Sequence, residues 1–524
     1  MAEIIGIVLA IPPLVDLSIT HIDGVASKIH TYKNAQGLHK DDLELHDIHS
    51  GQLDVCLGFV KDAAPFLTEN LNNLLHKTLL RLTKSLDNAL VTLERGIDKD
   101  GSIRRVWYST IGRLAVRRDL EEVEKCQLLF QRAVQFAALF GGSRISLLLT
   151  KGRLDNSNAL ARVQRLTEAI QGRLNDTGNT KMLLQPDEMP VGKRTRLPYS
   201  DIRLITSDES NVPLALVEYR QQITPDTRKV RDIARILNGT HPSMGIIRCQ
   251  GFHPVLAEGR CELIFPLSPE NGPPKTLREL LLSPDNDAGV RFSINSRIKL
   301  ARQLATAVLF VHTAKLVHKN IRPENIVIIP TTTELRSELA DETAELGDLY
   351  LTGFDFARKE DESSTRTGDS EWYKNIYKHP ERQGLHPEVD FTMLHDIYSL
   401  GVVLLEIALW RSYVLPTGGL DGTLLPCGSG SGSRYRENKE TGRFFDRKTK
   451  QLKHPQDILK GFIRKAETAI PPALGNRYRD TVLMCLKCID GGFGDPSGLV
   501  DQDGVLVGLV YIERVLATLD DIVV

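Results

Sequence analysis

The chain has 524 residues, 41% of them hydrophobic and 25% charged, and its 66 basic and 67 acidic side chains give a formal net charge of −1. This length predicts two or three domains with cores of their own, and the balanced charge excludes a general attraction to nucleic acid or to anionic surfaces. The seven cysteines are scattered and odd in number, which argues against a disulfide framework and favours a reducing, cytoplasmic compartment.

The N-terminal segment is short and very apolar, and residues 4–17 read IIGIVLAIPPLVDL. It does not have the form of a signal peptide, because Glu3 stands where a positive charge is needed and no A-x-A-like cleavage site follows. It is also shorter than the roughly 20 apolar residues that span a bilayer. Pro12 and Pro13 predict an interrupted helix, since a proline inside a helix costs about 3 kcal/mol.

Residues 1–175 predict an all-helical bundle, because apolar residues recur at steps of three and four. The clearest stripe consists of Leu67, Leu71, Leu75, Leu79, Leu82, Leu86, Leu90 and Leu93. Gly96 fits the C-terminal end of that helix, and two further long helices are expected over residues 119–140 and 156–175.

Two patterns resemble metal ligands, yet we predict no metal site. His46 and His49 can share one helical face, for which a solvated polar face is the commoner explanation. Cys485 and Cys488 form a CxxC, but no second ligand pair accompanies it and the surrounding residues are those of a buried helix.

Residues 176–200 lose the helical periodicity and gather proline, glycine and basic residues, which is typical of a linker. Beyond them, β-like runs such as DIRLIT and CELIFPL precede helical segments that return near Arg297. This order predicts an α+β domain over residues 201–524, with a sheet-rich part over about 201–268 and a larger helical part over about 280–524.

Four motifs of this second domain follow one another at compatible spacing: HKNIRPEN (318–325), GFDF (353–356), HPERQ (379–383) and DIYSLGVVLLEI (396–407). An amphipathic helix over residues 297–312 precedes the first motif. Together they resemble the protein kinase superfamily, whose catalytic loop reads H-R-D-L-x-x-x-N. The resemblance implies a bilobal protein-kinase-like fold that follows the helical bundle in a multidomain chain.

The resemblance also implies structural roles for four retained residues. Asp396 would brace the backbone of the catalytic loop, and His318 would pack beneath that loop. Glu381 would anchor the end of the activation segment, and Gly401 would permit close helix packing.

Most of the chemical residues of a kinase are replaced. Phosphoryl transfer depends on a base, a lysine and metal ligands held in position. Asn320 stands in the position of the catalytic base, and its neutral amide cannot take the proton of a substrate hydroxyl. Gly353 replaces the aspartate that holds Mg²⁺, and Asp355 falls in the glycine position of that motif. Asn325 matches the family's second metal ligand.

The nucleotide site of the smaller lobe is degenerate as well. VEYR (217–220) is the best match to V-A-I-K, which puts Arg220 at the position of the phosphate-binding lysine. Asp232 is then the nearest acidic partner for Arg220, and no glycine-rich loop occurs between residues 197 and 220. If this site takes a cofactor, the resemblance implies ATP, with or without Mg²⁺, held by Arg220, Asn325 and Asp355.

The start of the chain and the length of the bundle resemble the HeLo and HeLo-like domains of fungal heterokaryon-incompatibility proteins, which can precede degenerate kinase domains. The domain order is also similar to that of mixed-lineage kinase domain-like proteins, in which a pseudokinase restrains a membrane-disrupting bundle. The resemblance implies a signalling or cell-death effector whose partners are other proteins, such as an upstream kinase or receptor, and whose bundle forms homo-oligomers. A divergent, active Ser/Thr kinase and a non-catalytic scaffold are the alternatives.

One local stretch, Arg95 to Arg118, is basic and holds seven cations against Asp98 and Asp100, a surplus of five positive charges. The cations are Arg95, Lys99, Arg104, Arg105, Arg113, Arg117 and Arg118. Such a stretch can recruit the protein to anionic lipid, at about 1 kcal/mol per exposed cation. The alternative is a solvated connection in which Trp107 and Tyr108 pack inside the bundle. No nucleic-acid partner is expected.

A polar segment, DESSTRTGDS (361–370), occupies the position of a kinase activation segment. A phosphate there adds about −1.5 to −2 charge and can order or release a loop; an ordinary polar loop is the alternative. The candidate phosphorylation sites are Ser363, Ser364, Thr365, Thr367 and Ser370.

Overall fold

The computed structural model describes residues 2–34, 50–98, 102–140, 182–221, 227–240, 242–283, 292–330, 346–359, 371–387, 389–416, 452–489 and 511–522, with short pieces near 145, 368, 435 and 445. It divides into two compact units, Met1–Thr167 and Glu168–Val524. The first is helical and the second combines strands and helices, so the predicted order of an all-α part followed by an α+β part is confirmed.

The long helices of the first unit are α1 (Ala2–Asn34), α2 (Ser50–Ala63), α3 (Glu69–Arg95) and α4 (Arg113–Phe140). A short helix, Arg105–Trp107, and a π-helical turn, Tyr108–Gly112, lead into α4. α3 packs along both α1 and α4, and α2 contacts both of these helices. The helix predicted over 156–175 and the pair His46 and His49 lie outside the described residues.

The leucine stripe of α3 forms the core of this unit. Its buried members are Leu67, Leu71, Leu75, Leu79, Leu82, Leu86 and Leu93. Polar contacts fix α1 against it: the Ser18 and Thr83 hydroxyls lie 2.7 Å apart, and the Tyr32 hydroxyl donates to the Leu93 carbonyl at 3.0 Å. α3 ends at Gly96, as its sequence predicts.

α1 continues through Pro12 and Pro13, so the predicted interruption is wrong. Ile11 and Val15 on either side of the prolines are fully buried. Burial of one such side chain contributes about 1.5–3 kcal/mol, which offsets the cost of a proline in the helix.

Among the described residues, Gly6–Tyr32 is also the one helical segment whose length and composition fit a membrane span. Buried core helices pass the same test, so this gives weak support for membrane association.

The second unit begins with an antiparallel sheet in the order β1-β2-β3-β5-β4. Its strands are β1 (Lys193–Arg196), β2 (Arg203–Thr206), β3 (Pro213–Gln221), β4 (Gly251–Val255) and β5 (Arg260–Pro266). Helix α5 (Arg228–Asn238) connects β3 to β4.

Residues 182–200, which the sequence predicts as a linker, are part of this sheet region. Leu184 packs in one apolar cluster with Ile205 and Val217, and β1 pairs along β2. The four residues of β1 read KRTR. β1 is an edge strand, and edge strands often carry charged residues. Its four residues therefore show no apolar pattern from which a strand could be predicted.

The rest of the unit is mostly helical, with short strand pairs between the helices. Its elements are β6 (Lys275–Thr276), α6 (Leu277–Leu281), α7 (Ile294–Thr313), β7 (Leu316–Val317), β8 (Ile326–Ile329), β9 (Asp348–Leu351), β10 (Arg358–Lys359), α8 (Trp372–Asn375), α9 (Met393–Leu409), β11 (Leu415–Pro416), β12 (Tyr435–Arg436), α10 (Pro455–Leu486) and α11 (Ala517–Asp520).

α9 is the buried centre of this part and packs against α7 and α10. A Cβ atom at Gly401 would lie 2.8 Å from the Cβ of Cys485, so glycine permits the approach of α9 to α10. Cys485 and Cys488 are both buried at this contact. The cysteines serve as small core side chains here.

Candidate functional site

The loop over residues 318–325 lies between β7 and β8 and is fastened by Asp396 in the first turn of α9. The two Asp396 carboxylate oxygens accept the backbone N–H groups of His318 at 2.7 Å and Lys319 at 2.9 Å. Asp396 is fully buried, and the His312 ring lies 3.3 Å from its Oδ2. These bonds hold the loop backbone in one conformation.

His318 supports the same loop from inside. Its Nδ1 accepts the Asn320 backbone N–H at 3.3 Å, and its ring meets the Phe354 ring edge-on at a centroid distance of 4.8 Å. Burial lowers the pKa of His318 to about 4. The ring is therefore neutral near pH 7 and acts as a packing and accepting group.

Three of the predicted site residues are joined by hydrogen bonds. Asn320 Nδ2 donates to Asp355 Oδ1 at 2.9 Å, and the Asn320 carbonyl accepts from Asn325 Nδ2 at 2.9 Å. Burial raises the pKa of Asp355 from 3.8 to about 6, although the bond from Asn320 and nearby arginines act in the opposite direction. The side-chain amide in the base position is thus committed to Asp355.

Gly353 adopts a left-handed backbone conformation with φ +84°, and a Cβ atom there would lie 2.6 Å from Asn325 Cγ. Its N–H donates to Glu218 Oε1 at 2.9 Å, and the next N–H, of Phe354, donates to Glu218 Oε2 at 2.7 Å. The Glu218 carboxylate therefore holds the GFDF turn with both of its oxygens. The kinase resemblance aligns this turn with the metal-binding motif of that family.

Glu218 lies on β3 and is only 3% exposed, and burial raises the pKa of its carboxyl group from 4.5 to about 7. Glu218 is not evident from the sequence, because the match of VEYR to V-A-I-K draws attention to Arg220 alone. Residues two apart on a strand lie on the same face. The sequence therefore places Glu218 on the same face of β3 as Arg220, and this spacing is the pattern that indicates it.

Arg220 and Asp232 are engaged in separate contacts. Arg220 Nη1 donates to the Phe354 carbonyl at 2.9 Å. Asp232 on α5 instead accepts from Lys359 Nζ at 2.7 Å and lies 3.9 Å from Arg235 Nη1. Asp232, the predicted partner of Arg220, thus connects α5 to Lys359 of β10.

Glu381 lies close to two buried histidines, His379 and His395, at 3.6 and 3.8 Å. The three groups are near enough to raise the question of a metal ion. Both rings accept a backbone N–H at Nδ1, from Glu381 at 3.4 Å and from Thr392 at 2.9 Å. A neutral ring that accepts at Nδ1 carries its proton on Nε2, so this arrangement favours anchoring of the segment over metal binding.

The basic stretch of the first unit is partly neutralised. Arg104 pairs with Asp98 at 2.7 Å, Arg117 with Glu121 at 3.0 Å and Arg118 with Asp119 at 3.0 Å. Tyr108 is buried against Tyr32, with ring centroids 5.5 Å apart, and the Trp107 ring covers Gly96 and Gly112. The aromatic residues therefore pack in the bundle. Lys99 and the five candidate phosphorylation sites lie outside the described residues.

No protein-family model matches the chain. It is 25% identical over 141 residues to the tyrosine-protein kinase SPK-1 of Girardia tigrina, a match that covers 27% of this chain and 24% of that protein. It is 30% identical over 118 residues to a serine/threonine-protein kinase-like protein of Arabidopsis thaliana, over 22% of this chain and 29% of that protein. The chain thus spans about a quarter of the length of these curated relatives. The partial matches give weak support for a kinase-like region and for nothing finer.

Proposed function

We propose that the second unit is a kinase-like module that does not transfer phosphate and that it controls the helical unit within a cytoplasmic signalling protein. The observation that carries the proposal is the buried Glu218 carboxylate on the amides of Gly353 and Phe354. An active kinase surrounds the phosphates of ATP with a lysine and metal ions at this place. Here both Glu218 oxygens accept from backbone amides and Asp355 accepts from Asn320, an arrangement that does not favour a metal-bound triphosphate.

The state of Asn320 supports the same conclusion. Its amide is neutral and bonded to Asp355, so the position of the base offers no group that takes a proton from a hydroxyl. Arg220 keeps a positive charge, yet its guanidinium group donates to the Phe354 carbonyl. Both contacts support the proposal that this site does not transfer phosphate.

A phosphotransfer assay tests the proposal. The full chain is incubated with γ-labelled ATP, Mg²⁺ or Mn²⁺ and a generic Ser/Thr substrate, and we expect no label on the substrate or on the chain itself. Label transfer that is abolished by Asp355→Ala, and retained by the exposed control Asp457→Ala, would establish the divergent kinase and overturn the proposal.

For the helical unit we propose an effector role of the incompatibility or cell-death type, supported by its resemblance to HeLo-like domains. The kinase-like module would control it through a protein partner or through phosphorylation of Ser363, Ser364, Thr365, Thr367 and Ser370. All five are changed to alanine, and oligomerisation of the full chain and its cell-death phenotype are measured. If oligomerisation and the cell-death phenotype are unchanged, the switch lies outside these five residues. If the unaltered chain neither oligomerises nor causes cell death, the scaffold alternative is favoured.

A second candidate function is contact with an anionic membrane. Val106, Ile111 and Leu114 are 70–79% exposed, and they lie within the basic stretch. Exposed apolar side chains among cations are suited to an interface with acidic lipid. The full chain should float with phosphatidylserine vesicles, less so at raised salt, and Ile111→Ser with Leu114→Ser should reduce flotation. Flotation unaffected by these changes would rule out this surface.

A further inference from the structure

A cavity of about 190 Å³ lies beside the loop of residues 319–322 and is closed on its other side by residues of the segment 368–382. Its walls carry the cations Lys319, Arg322, Lys374, Lys378 and Arg382. Asp369 is the one carboxylate among the lining residues that the structure describes. An apolar cavity of roughly 150 Å³ takes a benzene molecule, so this cavity has room for a group of that size.

Some of these cations already have a counter-ion. Lys374 Nζ pairs with Asp369 at 3.0 Å, and Arg322 Nη1 lies 3.2 Å from Glu324. Lys319 and Lys378 differ: within the part of the chain that the structure describes, neither ammonium group takes part in an ion pair. Asp369 attracts Lys378 as well as Lys374, so among the described lining residues five cations share one carboxylate.

Both of these lysines are partly buried. Burial, together with Arg358 and Arg382, lowers the pKa of Lys319 from 10.5 to about 8. Burial likewise lowers the pKa of Lys378 to about 8, against the attraction of Asp369. Cations held in this way gain most from an anion that enters the cavity.

The backbone of Lys319 points to the same role. Lys319 is not a glycine, yet its φ is +70°, and the bond from its N–H to Asp396 holds it there. Such a conformation costs about 1 kcal/mol or more and is kept where the surroundings enforce it, often at functional sites. The fold thus presents a lysine to the cavity from a strained backbone.

The number of cations selects the kind of anion. A carboxylate carries one charge, whereas a phosphoryl monoester carries about −1.5 to −2 and three acceptor oxygens. Asn320 also lines the cavity, and its neutral amide does not repel an anion as an aspartate in that position would. A doubly charged group can therefore meet both lysines at once.

We propose that this cavity binds the phosphoryl group of a phosphoserine or phosphothreonine on a protein segment, so that the kinase-like module reads phosphorylation. The inference rests on the proposed absence of phosphotransfer, since an active site would release such a segment as product. Lys319 and Lys378 contact the phosphoryl oxygens, and Asn320 lies beside the ester.

Fluorescence anisotropy of the full chain tests the inference. The probe is a labelled alanine-glycine peptide with one phosphoserine, compared with the same peptide that carries serine, with inorganic phosphate as competitor. We expect the phosphoserine peptide to bind at least tenfold more tightly than the serine peptide. Equal affinity for the two peptides, or binding of inorganic phosphate without binding of the phosphopeptide, would overturn the proposal.

Variants locate the site. Lys319→Met with Lys378→Met should lower the affinity for the phosphopeptide at least tenfold, whereas Lys460→Met, at an exposed position of α10, should leave it unchanged. An equal effect of Lys460→Met would mean that general charge is responsible and would sink the inference. If the double variant does not fold, Lys378→Gln is compared with Lys378→Arg. We expect Lys378→Gln to weaken phosphopeptide binding and Lys378→Arg to retain it. An unchanged affinity of Lys378→Gln would overturn the inference.

The two proposals fail in different ways. Transfer of labelled phosphate to the serine peptide would contradict the proposed function. Absence of phosphopeptide binding without any transfer would contradict the assignment of the cavity alone.

Discussion

Glu218 is the residue on which the chemistry of the site depends most. It is buried on β3, and its two oxygens accept the N–H groups of Gly353 and Phe354. These bonds favour the ionised carboxylate, whereas burial favours the neutral acid. Burial is the larger effect, so the pKa of Glu218 is raised to about 7. Glu218 therefore titrates near neutral pH in the folded chain.

The first prediction follows from this pKa. The folded pKa lies above the ordinary value of 4.5, so the folded state holds the proton more tightly than the unfolded state does. The stabilisation is complete below pH 4.5 and is lost as the pH rises through 7, about 3 kcal/mol in all, from about 1.36 kcal/mol per pKa unit. We expect the unfolding free energy of Glu218→Gln, measured with urea at several pH values, to lack this part of the decline.

The comparison with a variant is needed because Glu406 and Asp355 also have raised pKa values, about 7 and about 6, and titrate in the same window. Glu270→Gln, at an exposed position, serves as the control and should reproduce the curve of the unaltered chain. Parallel curves for the unaltered chain and Glu218→Gln would show that the carboxyl group is not titrating between these limits.

Gly353 allows a second prediction at the residue scale. Its φ of +84° penalises any side chain, and a Cβ atom would also lie 2.6 Å from Asn325. Gly384 has a φ of +85° with no atom within 4 Å of its Cβ position, so it isolates the backbone penalty. Gly384→Ala should cost about 1–2 kcal/mol in unfolding free energy, and Gly353→Ala should cost clearly more.

Active kinases carry an aspartate where this chain has Gly353. Gly353→Asp adds a larger side chain at the crowded position, so we expect it to destabilise the chain at least as much as Gly353→Ala. Equal costs for the alanine variants at 353 and 384, measured by chemical denaturation, would show that Asn325 yields without penalty.

Among the elements, α3 offers the clearest test of packing. Leu79 is fully buried, whereas its neighbour Leu80 is 49% exposed. Leu79→Ala should lower the unfolding free energy of the helical unit by about 2–5 kcal/mol, because it leaves a cavity in the core. Leu80→Ala removes the same atoms from a half-exposed position. It should change the unfolding free energy by no more than about 0.5 kcal/mol, as surface substitutions usually do. Similar losses for the two variants, in thermal unfolding followed by circular dichroism, would contradict the packing of α3.

The elements also show which parts of the fold the sequence determines visibly. The stripe of α3, its end at Gly96 and the helix predicted over 297–312, observed as Ile294–Thr313, are local apolar patterns and were predicted. α1 and β1 were not, because tertiary packing outweighs Pro12 and Pro13, and because an edge strand lacks an apolar pattern. The bond between Glu218 and Gly353 joins residues 135 positions apart, and no local pattern reports such a contact.

At the scale of the whole molecule, each unit holds its own core. In the second unit, one buried cation connects elements that are distant in sequence. Arg278 on α6 pairs with Glu406 of α9 at 3.2 Å and with Glu324 of the loop at 3.0 Å, and it also donates to the Tyr377 hydroxyl at 2.8 Å. Arg278 is 0% exposed, so its removal takes from the buried Glu406 carboxyl group the cation it pairs with and leaves Glu324 with Arg322.

The last prediction uses this cation together with the core of α3. Breaking a buried ion pair by removing one partner costs about 3–5 kcal/mol, so Arg278→Ala should lower the unfolding temperature of the second unit. Leu79→Ala should lower that of the first unit, since the two changes lie in separate cores. Differential scanning calorimetry of the full chain should therefore show two transitions, each shifted by one variant. Arg464→Ala, at an exposed position of α10, should shift neither. A single transition that both variants lower equally would show that the units unfold together, and the helical unit would then not act as a separable effector.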